Sequence, residues 1–176
     1  FVDDLGKLHD RLQRESKRNP DGALFALFQL TAREIALYSA THAMLVGMVC
    51  LLAARDVLGW PEDEVAILGK AALTMNVAMT SLQDRLAAQV ESPVAEQRQQ
   101  IAHHAAEGVR MLGEMGIRDP LLLEAVRDHH ATGPGELAAR TPAQRMARLI
   151  QRADIFVAQL APRASRRARS NAAAMQ

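Results

Sequence analysis

Residues 66–80 carry apolar side chains on nearly every side, a pattern typical of a helix buried among other helices. Thr74 and Asn76 interrupt this stretch near its C-terminal end. Because a buried amide without a hydrogen bond is costly, we expect Asn76 to face a polar cavity or to have a polar partner. A packed core helix that contains one satisfied asparagine is the simpler alternative.

Helical spacing of apolar residues recurs along the chain and begins with Val2, Leu5, Leu8 and Leu12. Further helices are predicted over residues 24–37, 41–58, 61–80, 92–116, 119–130 and 141–160, with a last helix after Ser170. The expected N-caps at four of these starts are Asp21, Ser39 or Thr41, Ser92 and Ser170. Residues 81–91 fit either a loop or a short helix.

The sequence contains no alternating apolar and polar run bounded by turn residues, so strands are not expected. We predict an all-α fold, an HD-domain-like bundle of about seven or eight helices. The length of 176 residues fits a single globular unit, with residues 1–37 as N-terminal helices packed on a domain of residues 38–176. Because the sequence begins at Phe1 and stops within a helical pattern, we interpret it as a fragment of a longer protein.

The formal net charge of +1 argues against a general nucleic-acid-binding surface. The single cysteine, Cys50, lies in an apolar run and is expected to be a buried thiol, which fits a reducing cytoplasm. The longest apolar run, residues 43–54, is too short to span a bilayer, and no signal peptide is visible. We expect a cytoplasmic protein with no membrane contact from this segment, and a homodimer is compatible with the sequence.

Imidazoles and one carboxylate occur on four separate predicted helices, at His42, His104, His129, His130 and Asp154. Helical bundles build metal sites from ligands that converge from facing helices. Imidazole and carboxylate suit iron, manganese, zinc or nickel. Each of these residues alone also fits a surface position or a satisfied polar group, so both interpretations stay open at this point.

The two other histidines are expected to lie outside any such site. His9 is predicted to be a surface residue or a satisfied polar group in the first helix. His103 is predicted to be the outward neighbour of His104, because adjacent residues of a helix do not face one site together.

The order of these motifs resembles the HD-GYP branch of the HD superfamily of metal-dependent phosphohydrolases, from about residue 38 to the end. In chain order, that branch begins with a Tyr-x-x-x-His-Ser helix, an H-D-I-G-K helix and an H-P-x-x-G-x-x-L helix. A histidine pair before a G-Y-P segment, an A-D-x-x-D-A helix and an R-P-Y-R element follow. The matching positions here are Thr41-His42, His104 with Gly108, His129-His130 and Ala153-Asp154. Tyr38 stands where the branch often has a glutamate ligand.

Several signature residues of the branch are replaced. Met75 and Asn76 stand at the H-D metal ligands, Met79 stands at the lysine, and residues 131–135 shorten the G-Y-P segment. The resemblance implies a vestigial set of metal ligands with Asn76 at the lost aspartate, namely His42, His104, His129, His130 and Asp154. It also implies that Arg163 and Arg166 match the basic residues that hold the phosphates of cyclic di-GMP in the family, with a solvated basic tail as the alternative.

In this family the aspartate of the H-D pair bridges two metals that activate a water molecule. A neutral Asn76 cannot supply an anionic bridge, and the thioether of Met75 is a poor ligand for a hard metal. We therefore expect a catalytically silent domain, a regulatory or interaction module in bacterial cyclic-dinucleotide signalling, with cyclic di-GMP or a signalling protein as its partner. We expect no cofactor, with one weakly bound divalent ion of iron, manganese, zinc or nickel as the alternative. A phosphohydrolase with an altered site and a cyclic di-GMP sensor without turnover also remain open.

Overall fold

The computed structural model describes residues 1–33, 35–133, 135–161 and 164. These described residues form helices and turns without any β-strand, which confirms the all-α prediction. The α-helices are α1 Val2–Arg18, α2 Pro20–Arg33, α3 Tyr38–Leu52, α4 Glu62–Thr74, α5 Thr80–Ala88, α6 Ala95–Glu114, α7 Pro120–Asp128 and α8 Pro142–Leu160. Short 3-10 turns occur at Ile35–Leu37, Val77–Met79 and Leu137–Ala139, and a π-helical turn extends α3 over Ala53–Val57.

Helix α3 lies at the centre of the fold and packs against α1, α2, α4 and α8. Its residues Leu45, Val46 and Leu51 are fully buried, as expected for a helix that is apolar on nearly every side. The same hydrophobic core includes Leu5 of α1 and Leu27 of α2. The N-terminal helices therefore bury their apolar faces against the rest of the chain. Cys50 is fully buried in α3, in agreement with the prediction of a buried thiol.

The prediction of one continuous helix over residues 61–80 is wrong, because α4 ends at Thr74. Met75 and Asn76 form a turn before the 3-10 turn Val77–Met79, and α5 follows. Met75 is fully buried in the hydrophobic core, whereas Asn76 lines a polar cavity. The break in the helix gives these two neighbours separate environments, and Asn76 faces a polar cavity as predicted.

The predicted N-caps Asp21 and Ser39 or Thr41 are wrong, because all three residues lie inside helices. The Asn19 side chain accepts a hydrogen bond from the Gly22 backbone N–H at 3.1 Å, and Asp21 lies inside α2. Ser39 lies inside α3, and it donates from its backbone N–H and its hydroxyl to the Asp84 carboxylate at 2.7 and 3.1 Å. The Ser39 contact joins α3 to α5, a tertiary contact that local sequence does not reveal.

The start signals of the later helices are partly confirmed. Ser92 is not the cap of α6, because Gln97 accepts the Val94 backbone N–H at 2.9 Å and the helix begins at Ala95. Asp119 accepts backbone N–H groups at the start of α7 at 2.9 and 3.2 Å, as its position before a proline predicts. Thr141 caps α8 in the same way at 3.3 Å. Ser170 lies outside the described residues.

Arg55, on the π-helical turn after α3, ties down the C-terminal end of α1. Its guanidinium donates to the Ser16 hydroxyl at 2.8 Å and to the Ser16 backbone oxygen at 2.9 Å. The ammonium of Lys17 lies 2.8 Å from the Glu62 carboxylate, beside that contact. Carbonyl groups in the last turn of a helix lack intrahelical partners, so the Arg55 contact both satisfies one of them and fixes the helix in place.

Two helical stretches, Ile35–Val57 and Glu62–Ala88, are long and apolar enough to cross a membrane by length and composition alone. Half of the most apolar window of each stretch is buried inside the fold. The core helices of soluble proteins pass the same test, and the second stretch is broken at Met75 and Asn76. The cytoplasmic location and the absence of membrane contact therefore stay predictions.

Candidate metal centre

Polar side chains from separate helices line one cavity of about 200 Å³. They are His42 of α3, Asn76 after α4, His104 of α6, His130 after α7 and Asp154 of α8. Although these residues are distant in sequence, the packing of α3, α6, α7 and α8 places them around the same space. His129 lies in contact with His104 beside this cavity.

The side chains of His104, His129 and His130 form a compact cluster at one end of the cavity. The Nε2 atom of His104 lies 3.2 Å from Nε2 of His129 and 3.3 Å from Nε2 of His130. His104 and His129 are buried, while His130 is exposed. One ring nitrogen from each of these three residues lies within 4.8 Å of the other two, which is close enough for one metal ion to contact all three.

Backbone carbonyls fix which nitrogen carries the proton in two of these rings. Nδ1 of His104 lies 2.6 Å from the Ile101 carbonyl oxygen, and Nδ1 of His129 lies 2.7 Å from the Val126 carbonyl oxygen. A carbonyl only accepts hydrogen bonds, so Nδ1 must donate and Nε2 keeps its lone pair in the neutral ring. A metal-binding histidine commonly donates its second ring N–H to a carbonyl in this way.

The environment favours neutral imidazoles in this cluster. Burial lowers the pKa of His129 to about 4, with a smaller effect from the neighbouring His130. Burial also lowers the pKa of His130, and the nearby His104 adds to that effect. Neutral rings with free Nε2 lone pairs are the form that metals bind. The cluster can therefore present lone pairs to a metal ion at neutral pH.

The spacing of these nitrogens suits a tetrahedral ion. Zinc–imidazole bonds of about 2.0–2.1 Å place adjacent tetrahedral ligand atoms about 3.3–3.4 Å apart. The separations of 3.2 and 3.3 Å around His104 are close to that edge length. Three histidines leave a fourth position open, as in catalytic rather than structural zinc sites. The residues present therefore fit one ion of the borderline metals that imidazole prefers.

At the other end of the cavity, His42 and Asp154 bind each other directly. Nε2 of His42 lies 2.7 Å from Oδ1 of Asp154, and Tyr38 stacks on the His42 ring with 5.4 Å between ring centroids. Burial favours the neutral form of Asp154, but the hydrogen bond from His42 and its charge outweigh burial and lower the pKa of Asp154. Nδ1 of His42 is buried without a hydrogen-bond partner among the described residues.

The residues at the expected H-D position do not add a ligand pair. Met75 is fully buried in the hydrophobic core, so its thioether is not among the groups that line the cavity. Asn76 lines the cavity at 9% exposure and offers a neutral amide. Met79, at the position of the lysine, also lines the cavity and supplies no charge.

The remaining histidines are placed differently from one another. His103 is exposed and its Nδ1 lies 2.8 Å from the Gln99 backbone oxygen, as the outward position predicts. His9 is not a surface residue, because it is 1% exposed; its Nδ1 lies 3.4 Å from the Asp10 carboxylate, and its Nε2 has no hydrogen-bond partner in the described part of the chain. The His9 ring fits against Gly69 of α4, where a Cβ would lie 2.9 Å from two ring atoms.

Sequence reasoning did not identify Gln83 as a residue of this cavity. Gln83 lies on α5, in the stretch that fitted either a loop or a short helix, and it is 8% exposed. No signal in the local sequence indicated it, because a glutamine that faces a cavity and one that faces solvent look alike in sequence. Arg163 and Arg166, the predicted phosphate-binding residues, lie outside the described residues.

Comparison of the chain with protein-family models, with curated proteins and with solved structures returned no match. The likeness to the HD-GYP branch therefore stays a prediction carried by the residues at positions 42, 104, 129, 130 and 154 and by their order. Evidence about the function of the chain therefore comes from the residues that line its polar cavity.

Proposed function

We propose that the chain is a catalytically silent HD-like domain that serves as a regulatory or interaction module in bacterial cyclic-dinucleotide signalling. The neutral amide of Asn76, which lines the cavity at the position that the resemblance gives to a metal-bridging aspartate, carries the proposal.

The neighbouring residues support the absence of a two-metal centre. Two metals held close together need an anionic bridge, and the amide of Asn76 is neutral. Met75, at the other position of the signature, points its thioether into the hydrophobic core. No other carboxylate from the described residues lines the cavity beside Asp154. Hydrolysis by the family mechanism is therefore not expected.

A regulatory role fits what the cavity retains. The fold keeps a partly open cavity lined by histidines while lacking the anionic bridge of a two-metal centre. Such a site can bind a ligand or an ion and convey its presence through the surrounding helices α3, α4, α6 and α8. The cyclic-dinucleotide context rests on the resemblance in motif order alone.

The test is turnover of cyclic di-GMP by the purified chain with added manganese or iron, followed by chromatography of the products. We expect no product above the protein-free background. Metal-dependent hydrolysis that disappears in His104→Ala and His130→Ala would contradict the proposal. His103→Ala is the matched control, because His103 is an exposed histidine next to the site that makes no contact with the cluster.

A phosphohydrolase with a single metal is a second candidate, favoured by the cluster of His104, His129 and His130. Nitrogen lone pairs from these three rings converge at one point, and a bound ion could supply Lewis-acid chemistry there. This candidate requires about one metal per chain after purification, measured by elemental analysis. A metal-free protein that also fails to take up zinc, manganese or iron would eliminate it.

A further inference from the structure

Two amide side chains, of Asn76 and Gln83, belong to the lining of the polar cavity. Asn76 and Gln83 are 9% and 8% exposed, and none of the hydrogen bonds between described residues involves their side chains. Neither amide is among the enclosed side-chain atoms that lack a partner in the described part of the chain, so both amides reach the solvent of the cavities. A ligand that displaces this solvent can therefore bind to both groups.

The same amides also line a second cavity, under the N-terminal helix. This cavity has a volume of about 290 Å³ and is lined mainly by apolar groups, among them Leu5 and Leu8 of α1 and Leu73 of α4. Asn76 and Gln83 belong to the lining of both spaces, so the apolar chamber and the polar cavity with His42 and Asp154 meet at these residues. The two cavities together offer one site with an apolar end and a polar end.

The lining determines what chemistry the polar end of a ligand needs. Each amide provides an N–H donor and a carbonyl acceptor, so a head group with both a donor and an acceptor can satisfy the pair. A carboxylate only accepts hydrogen bonds, and it would also lie near the ionised Asp154, which lines the same polar cavity. The site therefore favours a neutral head group such as a carboxamide.

The volume of the apolar chamber limits the size of the apolar part of the ligand. A cavity of about 150 Å³ lined by aliphatic side chains is large enough for benzene, and the apolar chamber is about twice that volume. An unbranched chain of about eight carbon atoms is a suitable occupant. The N-terminal part of α1 covers the chamber through Leu5 and Leu8, and Arg55 and Glu62 hold the other end of that helix.

We propose that this chain binds a neutral amphiphile, with a carboxamide-type head between Asn76 and Gln83 and an alkyl chain of about eight carbons under α1. The inference depends neither on the likeness to HD-GYP domains nor on a bound metal. It gives the regulatory module a small-molecule effector, and it stands or falls separately from the absence of hydrolysis.

The test is calorimetric titration of the 176-residue chain with octanamide, with octanoate and acetamide as comparison ligands. We expect saturable binding of octanamide, weaker binding of octanoate because of its charge, and no saturable binding of acetamide because it lacks the chain. No binding of octanamide, or equal binding of octanamide and either comparison ligand, would overturn the proposal.

Single variants at the apolar end and at the amide end of the site test each end separately. Ala43→Leu adds bulk inside the apolar chamber and should weaken octanamide binding at least about tenfold. Gln83→Met keeps the shape and removes the amide, and should weaken binding about five- to tenfold. Ala26→Leu, on an exposed position of a different groove, should bind octanamide like the parent chain. Circular dichroism establishes that each variant is folded, and unchanged affinity in folded Ala43→Leu or Gln83→Met would refute the assignment.

Discussion

His42 and Asp154 lie 112 residues apart in sequence, yet Nε2 of His42 is 2.7 Å from Oδ1 of Asp154. The contact joins the central helix α3 to the last helix α8 and closes one side of the polar cavity. His42 is almost fully buried, and the Asp154 side chain is 18% exposed. Because each partner satisfies the other, the pair is a structural element as well as part of the site.

Breaking the His42–Asp154 pair should destabilise the fold. Asp154→Ala leaves a buried imidazole without its partner, and we expect the free energy of unfolding to fall by about 3 kcal/mol. His42→Phe should have a similar cost, because it leaves Asp154 unpaired. The double variant His42→Phe with Asp154→Ala should be more stable than the sum of the single changes, by at least about 1 kcal/mol. Urea denaturation of the four proteins measures this coupling, and additive effects would contradict it.

Removal of any one histidine of the cluster should weaken binding of zinc. His104→Ala, His129→Ala and His130→Ala each remove a nitrogen ligand, and we expect each affinity to fall more than about tenfold. The measurement is competition against a chromophoric chelator at pH 7.5. His103→Ala should leave the affinity unchanged, since its ring faces solvent. The same loss in all four variants would indicate non-specific binding instead.

Much of the fold could be predicted from sequence because its signals are local. Proline after Asp119 and Thr141 marked the starts of α7 and α8, and both helices begin there. The end of α4 at Thr74 could not be predicted, because the apolar pattern continues through Met79 without a helix-breaking residue. The turn is explained by its surroundings, because Met75 packs in the hydrophobic core while Asn76 lines the polar cavity.

For the candidate site, too, part of the arrangement could be predicted from sequence and part could not. Motif order indicated that His42, His104, His130 and Asp154 belong together, and the structure places them around one cavity. Their use could not be predicted, because whether His42 and Asp154 face a metal or each other depends on packing between helices. The role of Gln83 was also hidden, since nothing in the local sequence distinguishes a glutamine that faces a cavity from one that faces solvent.

Acid should destabilise the metal-free protein before its carboxylates titrate. Burial lowers the pKa of His129 to about 4 and also lowers the pKa of His9, whereas the unfolded histidines bind protons near pH 6.5. Between these values the unfolded chain holds more protons, so the free energy of unfolding decreases as pH falls below about 6.5. The decrease approaches about 1.4 kcal/mol per pH unit for each such histidine.

The measurement for this pH dependence is urea denaturation with a chelator present, at steps between pH 7.5 and 5. His9→Leu removes one of the buried groups without touching the metal cluster and should make the dependence shallower. A free energy of unfolding that is constant over this range, or a steeper dependence in His9→Leu, would contradict the assignment.

Gly69 should tolerate no side chain, because the His9 ring occupies the space where a Cβ would be. A Cβ at this position would lie 2.9 Å from Cδ2 and Nε2 of His9 and 2.9 Å from Cδ2 of Leu51. We expect Gly69→Ala to lower the free energy of unfolding by about 1–3 kcal/mol through overpacking between α1 and α4. Gly6→Ala in α1 is the matched control, since nothing lies within 4 Å of its Cβ position, and there alanine should stabilise the helix by about 0.5–1 kcal/mol. Thermal and urea denaturation compare the two variants, and a Gly69→Ala protein as stable as Gly6→Ala would show that α1 does not pack tightly on α4.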